Sequence, residues 1–133
     1  MFEIKESYKI TIFQILKFCA VGVLNTLITN LSFAFIFYVV RINDKLSNVI
    51  SYIVGLTNSF IFNKLWTFKS RKNFILEIIP FIIVFVIAYL AQFGFYYFLA
   101  HILKINEMIA FFAGNVVYTL LGFIGNKLFT FKL

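Results

Sequence analysis

The sequence predicts an all-α integral membrane protein: four transmembrane helices built as two parallel two-helix repeats, with the N and C termini cytoplasmic. Three observations carry this prediction. Hydrophobic residues make up 62% of the 133 residues and charged ones only 13%, against roughly 45–50% and about 25% in soluble domains, and the mean hydropathy is +0.97. A soluble domain of this length could not bury so much apolar surface, so the expected solvent is lipid. The apolar residues also gather into four runs, roughly 13–39, 46–66, 78–101 and 107–129, each near the ~20 residues a helix needs to cross ~30 Å of hydrocarbon. Finally, Phe60–Phe68 recurs as Phe123–Phe131 with seven of nine positions identical, at an offset of 63 residues, about half the chain.

Residues 1–12 mix charged and apolar side chains and are expected to lie along the membrane surface. The four runs are separated by Arg41-Ile-Asn-Asp-Lys45, Lys69-Ser-Arg-Lys-Asn73 and His101-Ile-Leu-Lys-Ile-Asn-Glu107. Pro80, the single proline, is expected in the first turn of the third run, where a missing N–H costs nothing. Lys5, Lys9, Lys17, Lys64, Lys69, Arg71, Lys72, Lys127 and Lys132 fall on one side of the membrane and Arg41, Lys45 and Lys104 on the other, nine against three. Basic residues favour the cytoplasmic side, so both termini and the 67–77 loop are expected there, in a multi-pass protein of the cytoplasmic membrane. Both halves then run in the same direction, as a parallel repeat. The repeat is close in the second and fourth runs and faint in the first and third. Residues 1–133 are expected to form one membrane domain with no separate soluble catalytic domain.

The composition excludes several functions. The single cysteine, Cys19, rules out a disulfide within the chain and a cysteine-cluster metal site. A cleavable signal peptide is not expected, because the first apolar run is too long and lacks a small-residue cleavage site. His101, the only histidine, has no partner at catalytic spacing. Nucleotide-binding loops, metal-ligand spacings and paired carboxylates are all absent from the sequence, so no catalytic residue, metal or cofactor is expected. The net charge of +7 is concentrated at one membrane edge, which points to anionic lipid headgroups rather than nucleic acid. Asp and Glu occur only at the ends of the four runs, which argues against a proton-coupled antiporter or relay.

Polar residues inside the runs mark contacts, because lipid supplies no hydrophobic drive between helices. Asn25, Thr26 and Thr29 share a face of the first run at spacings of three and four; Asn58, Gln92 and Asn115 come from the other three. Each alone reads as helix packing, and together they also read as a polar seam through the bilayer. Lys17, Lys64 and Lys127 lie near the cytoplasmic edge. As single residues they read as snorkelling anchors. Lys64 and Lys127, however, hold the same place in both halves, each directly after an asparagine: Asn63-Lys64 and Asn126-Lys127. An ammonium beside an amide suits a phosphate, with a point charge from one and a hydrogen bond from the other.

The pattern Phe18-Cys-Ala-Val-Gly22-Val-Leu-Asn25-Thr26, with Asn63-Lys64-Leu-Trp66-Thr-Phe68 and its copy Asn126-Lys127-Leu-Phe129-Thr-Phe131, resembles the GtrA-like family of small four-helix membrane proteins. The resemblance spans essentially the whole chain. It implies a role in cell-surface polysaccharide synthesis, moving a polyprenyl-phosphate-linked sugar between leaflets for a membrane glycosyltransferase. On that implication the partners are the lipid-linked sugar, membrane lipids, a glycosyltransferase and, given how thin a wall four helices make, a second copy of the chain. A non-transporting scaffold for a glycosyltransferase is the alternative.

Overall fold

The computed structural model describes residues 2–131; Lys132, counted above with the basic edge, lies outside the described residues. Four α-helices account for the fold: α1 Phe2–Ala34, α2 Asp44–Phe62, α3 Phe74–Tyr97 and α4 Glu107–Gly125. Each runs on into a π-helical turn, Phe35–Val40, Asn63–Thr67, Phe98–Ile102 and Asn126–Thr130 in order. The chain divides between Arg71 and Lys72 into two compact units, so α1 pairs with α2 and α3 with α4.

The reversals are built alike. In the first unit Arg41 adopts a left-handed φ of 64° and Ile42 N–H bonds back to the Ile36 carbonyl at 3.2 Å. In the second, Lys104 has φ 57° and Ile105 N–H bonds to the Leu99 carbonyl at 2.9 Å. Left-handed residues of this kind close a helix C-terminus by satisfying its last carbonyls. An asparagine then opens the next helix. Asn43 accepts from Leu46 N–H at 2.8 Å, and Asn106 from Met108 N–H at 2.9 Å. An acid stands in the first turn of each, Asp44 and Glu107, where it meets the positive end of the helix dipole. The left-handed residues, the capping asparagines and the first-turn acids are each 63 residues apart, so the repeat extends through the reversals.

Within the first unit α2 returns along α1. Phe18 packs on Phe68 at 6.4 Å, Asn58 bonds Asn25, and Gly55 lies against Thr29. Gly55 is required there, because a Cβ would run into the Thr29 hydroxyl. Within the second unit α4 returns along α3: Phe81 lies 6.3 Å from Phe131, and a Cβ on Gly114 would sit 3.1 Å from the Gln92 carbonyl oxygen.

Burial is inverted relative to a soluble protein. Leu31, Ile75, Leu76 and Phe129 are 70–72% exposed, while Ser47, Ser51, Asn63, Thr67, Asn126 and Thr130 are buried. So many exposed apolar side chains in each unit need lipid around them. Three helical segments are long and apolar enough to cross a membrane: Glu3–Val40, Phe74–Ile102 and Glu107–Thr130. The segment of α2 is not among them. Its length matches that of α4, but Ser47, Asn48, Ser51, Thr57, Asn58 and Ser59 make it more polar than α3 and α4. The chain is a multi-pass membrane protein.

Two expectations about element ends are corrected. The first helix begins at Phe2 rather than near residue 13, so residues 2–12 form the start of α1 and no separate surface segment. No Gly or Pro interrupts this stretch, and Glu3 in its first turn favours the helix N-terminus. At about 1.5 Å per residue, α1 is longer than the ~30 Å of a hydrocarbon core, and its polar beginning extends past it. Pro80 is inside α3 and not in its first turn. The helix starts earlier because Asn73 caps it, accepting from Ile75 N–H at 2.9 Å. Pro80 therefore deprives the Leu76 carbonyl of its helical donor.

Candidate functional site

The two Asn-Lys pairs open the π turns that end α2 and α4. In each turn the phenylalanine N–H reaches back to the asparagine carbonyl, Phe68 to Asn63 at 2.9 Å and Phe131 to Asn126 at 2.7 Å. A π turn adds a residue to the helical loop and is frequent at functional sites.

The side chains diverge from this common backbone. Asn63 is 1% exposed and satisfied within its own unit: Thr67 Oγ donates to Asn63 Oδ1 at 2.8 Å, and Asn63 Nδ2 donates to Ser59 Oγ at 3.3 Å. Asn126 is 5% exposed, and its Oδ1 and the Thr130 Oγ are buried without a hydrogen-bond partner among the described residues. The counterpart of Ser59 at the repeat offset is Gly122, so the second turn lacks the hydroxyl that accepts from the first. Buried polar atoms are nearly always paired, and each exception asks for a reason.

The lysines diverge too. Lys64 is only 2% exposed, so it is no snorkelling surface anchor. Lys127 is half-buried with its ammonium 5.8 Å from the Phe123 ring centre, and half-buried Lys17 lies 5.4 Å from that of Trp66. Such cation–π contacts contribute about 0.5–1 kcal/mol in water and about 2 or more when desolvated.

Of the six seam residues, the first unit brings three together. Asn58 Nδ2 donates to Asn25 Oδ1, and Thr29 abuts Gly55 one helical turn away. Thr26 does not join them; it is exposed and its hydroxyl donates to its own helix at Gly22 O, 3.0 Å away. In the second unit Gln92 lies against Gly114, and half-buried Asn115 accepts from Thr119 Oγ through its backbone carbonyl at 2.9 Å. The offset counterparts of Asn25 and Asn58 are Ala88, 1% exposed, and Leu121. The bonded amide pair therefore belongs to the first repeat alone.

Two features escape a sequence-level reading. Glu77, which falls just outside the third apolar run, is 2% exposed in the first turn of α3, so a buried carboxylate does lie within a helix long and apolar enough to span. The signal was its offset counterpart Gln14, also polar at the head of an apolar run. The second is a groove of about 480 Å3 in the first unit, with Ala20, Val21 and Leu24 on one wall and Phe62, Leu65 and Trp66 on the other. Among the described residues no group of His, Cys, Asp and Glu is arranged to hold a metal ion.

Comparison with known proteins adds a lineage. The chain is 29% identical over 119 residues to the membrane protein YngA of Bacillus subtilis (strain 168), covering 86% of this chain and 77% of that protein. It is 37% identical over 57 residues to the prophage bactoprenol-linked glucose translocase homolog of Escherichia coli (strain K12), covering 43% of this chain and 48% of that protein. The GtrA/DPMS transmembrane domain matches residues 17–131, and the chain belongs to that family.

Proposed function

We propose that the protein translocates a polyprenyl-phosphate-linked sugar across the cytoplasmic membrane for cell-surface polysaccharide synthesis or glycosylation, as a carrier and not an enzyme. The observation that carries this reading is the recurrence of an Asn-Lys pair on a π turn at the end of α2 and again of α4. Two matched basic-amide turns suit a ligand that presents a phosphate to the protein. The name of the Escherichia coli relative, a bactoprenol-linked glucose translocase homolog, supports the same substrate class.

In this reading Lys17 in the first unit and Lys127 in the second, both half-buried, each offer their own unit's cation to a phosphate. Lys64 acts from within the protein through its charge. Asn126 contributes an amide whose oxygen is free to accept from a sugar hydroxyl, and Asn63 holds the first turn in shape. The sugar passes the amides of Asn25, Asn58, Gln92 and Asn115, which replace some of the water it leaves, while the prenyl chain stays in apolar surroundings. The sequence contains no nucleotide-binding loop, so direction follows from synthesis of the lipid-linked sugar on one side and its consumption on the other. A membrane glycosyltransferase is the natural consumer, and a homodimer would widen the path.

The test is reconstitution. Purified protein in phosphatidylcholine liposomes should speed the exchange of a fluorescent polyprenyl-phosphate sugar between leaflets. The Lys64→Ala plus Lys127→Ala variant should lose most of that rate at equal protein content. No acceleration by the wild type, together with co-purification of a glycosyltransferase, would make the protein a scaffold instead.

A further inference from the structure

The groove in the first unit has Val21, Ile61 and Leu65 in common with the second repeat and differs from it at Ala20, at Phe62 and at the neighbouring Lys17. At the offset of 63 residues Ala20 becomes Ile83, Phe62 becomes Gly125 and Lys17 becomes Pro80. In the second unit the missing side chain at 125 lets the helices close: a Cβ on Gly125 would lie 2.7 Å from Val84 Cγ1. In the first unit Val21, the counterpart of Val84, is packed away at 1% exposure. The Phe62 ring and the small Ala20 beside it leave a furrow of about 480 Å3, within the ~300–1,000 Å3 of small-molecule sites. Its walls are apolar, and the Lys17 ammonium lies 5.4 Å from the ring of Trp66, one of the lining residues.

An apolar furrow with a cation beside one of its lining rings is complementary to an apolar chain that carries an anion at its tip. We infer that this groove seats the first isoprene units of the polyprenyl phosphate, with the phosphate paired to Lys17 beside Trp66. The inference rests on the translocation reading for its choice of lipid and adds to it a chain-binding site confined to the first repeat. The prenyl chain is then held at its phosphate end while the rest remains in lipid. Lys17 neutralises the phosphate where the chain enters, which orients the sugar away from the furrow.

Trp66 is the only tryptophan and lines the groove, so its fluorescence reports occupancy directly. The experiment uses the full chain in phosphatidylcholine vesicles, titrated with polyprenyl phosphate brominated on the isoprene units nearest the phosphate. Quenching should saturate at low mole fraction and be reversed by unlabelled polyprenyl phosphate. Lys17→Gln, at a half-buried position that spares the groove walls, should weaken it about tenfold, and Ala20→Phe, which fills the furrow, should remove the saturable part. Quenching that rises linearly with mole fraction overturns the inference. So does equal quenching by brominated phosphatidylglycerol, which would mean any anionic lipid, or by brominated polyprenol, which would mean no role for the phosphate. Translocation measured on the same vesicles separates the two proposals. Saturable quenching without translocation keeps the seat and removes the carrier; normal translocation by a folded Ala20→Phe removes the seat and keeps the carrier.

Discussion

The bonded amides Asn25 and Asn58 supply a perturbation that the protein itself has already solved another way. Their counterparts in the second repeat are Ala88 and Leu121, an apolar pair at the same place between two helices. Asn58→Leu alone removes the donor to Asn25 Oδ1 and leaves a half-buried acceptor on α1. Interhelical hydrogen bonds in membranes average about 0.6 kcal/mol and reach about 1.7, and an orphaned buried group costs about 1–3, so a loss of about 1–2 kcal/mol is expected. Asn25→Ala alone should cost a similar amount. The double variant Asn25→Ala plus Asn58→Leu installs the second repeat's own pair, orphans nothing and should recover to within about 0.5 kcal/mol of wild type. Stability is read from Trp66 fluorescence during unfolding in mixed micelles, and function from leaflet exchange in liposomes. If the amides serve the sugar's path, the double variant folds normally but transports at least tenfold more slowly, about 1.4 kcal/mol on the barrier. Wild-type transport by a double variant of wild-type stability would refute the role of the amides in the path. Additive losses, with no recovery, would refute the bond itself.

Other perturbations separate packing from function. Gly55→Ala should destabilise the first unit by about 1–3 kcal/mol, since its methyl group meets the Thr29 hydroxyl, whereas Gly22→Ala, with nothing within 4 Å, should be neutral or gain up to about 1 kcal/mol of helix propensity; thermal unfolding in detergent distinguishes them. Thr67→Val loses the 2.8 Å bond to Asn63 and should cost about 1–2 kcal/mol. Thr130→Val removes a hydroxyl that is buried without a partner among the described residues and should leave stability unchanged or raised, as read by the same unfolding curves. Asn43→Ala and Asn106→Ala each remove a helix cap and should each cost about 1 kcal/mol of stability, read as similar drops in melting temperature.

Much of the fold was legible because the forces that set it act locally. Apolar runs long enough to span, with basic residues at one edge, predict helices before any packing is known. The Asn-Lys match at 60–68 and 123–131 is specific because its polar positions agree. The repeat goes further than that match: Arg41 with Lys104 and Asn43 with Asn106 share left-handed and capping roles, yet the stretches around them read only as separators. Side chains differ there while the backbone requirement is the same. The start of α1 was missed because an apolar window finds the part of a helix that lipid covers, and a helix can continue well past it. The burial of Lys64 and Glu77 depends on what packs around them, which no local pattern encodes. The groove was invisible for the same reason, since it arises from small and large residues on two different helices.

The two repeats share a backbone and differ in what fills it, and the differences are not scattered. The first carries the amide pair, the groove and the Lys17–Trp66 contact; at the same offsets the second has Ala88 with Leu121, Gly125 against Val84, and Pro80 with Phe129. Unfilled volume costs stability in a helix pair, and a bonded amide pair gains little over apolar packing, so a repeat under no other demand is free to drift toward the packed, apolar solution that the second one has. The second repeat in turn keeps Asn126 Oδ1 and Thr130 Oγ buried and without a hydrogen-bond partner among the described residues, where in the first the Thr67 hydroxyl donates to Asn63 Oδ1 and so satisfies both positions at once. Each half therefore departs from the cheapest packing at different spots: the first along the hairpin, at its groove and at Gln14 Oε1, buried without a partner among the described residues, the second at the Asn-Lys turn. A lipid-linked sugar has parts that match these departures, an apolar chain with an anion for the groove and hydroxyls for the open amide. That correspondence is why Thr130→Val is the informative substitution: a variant that is no less stable yet slower in transport would show that the unpaired hydroxyl is retained for the ligand.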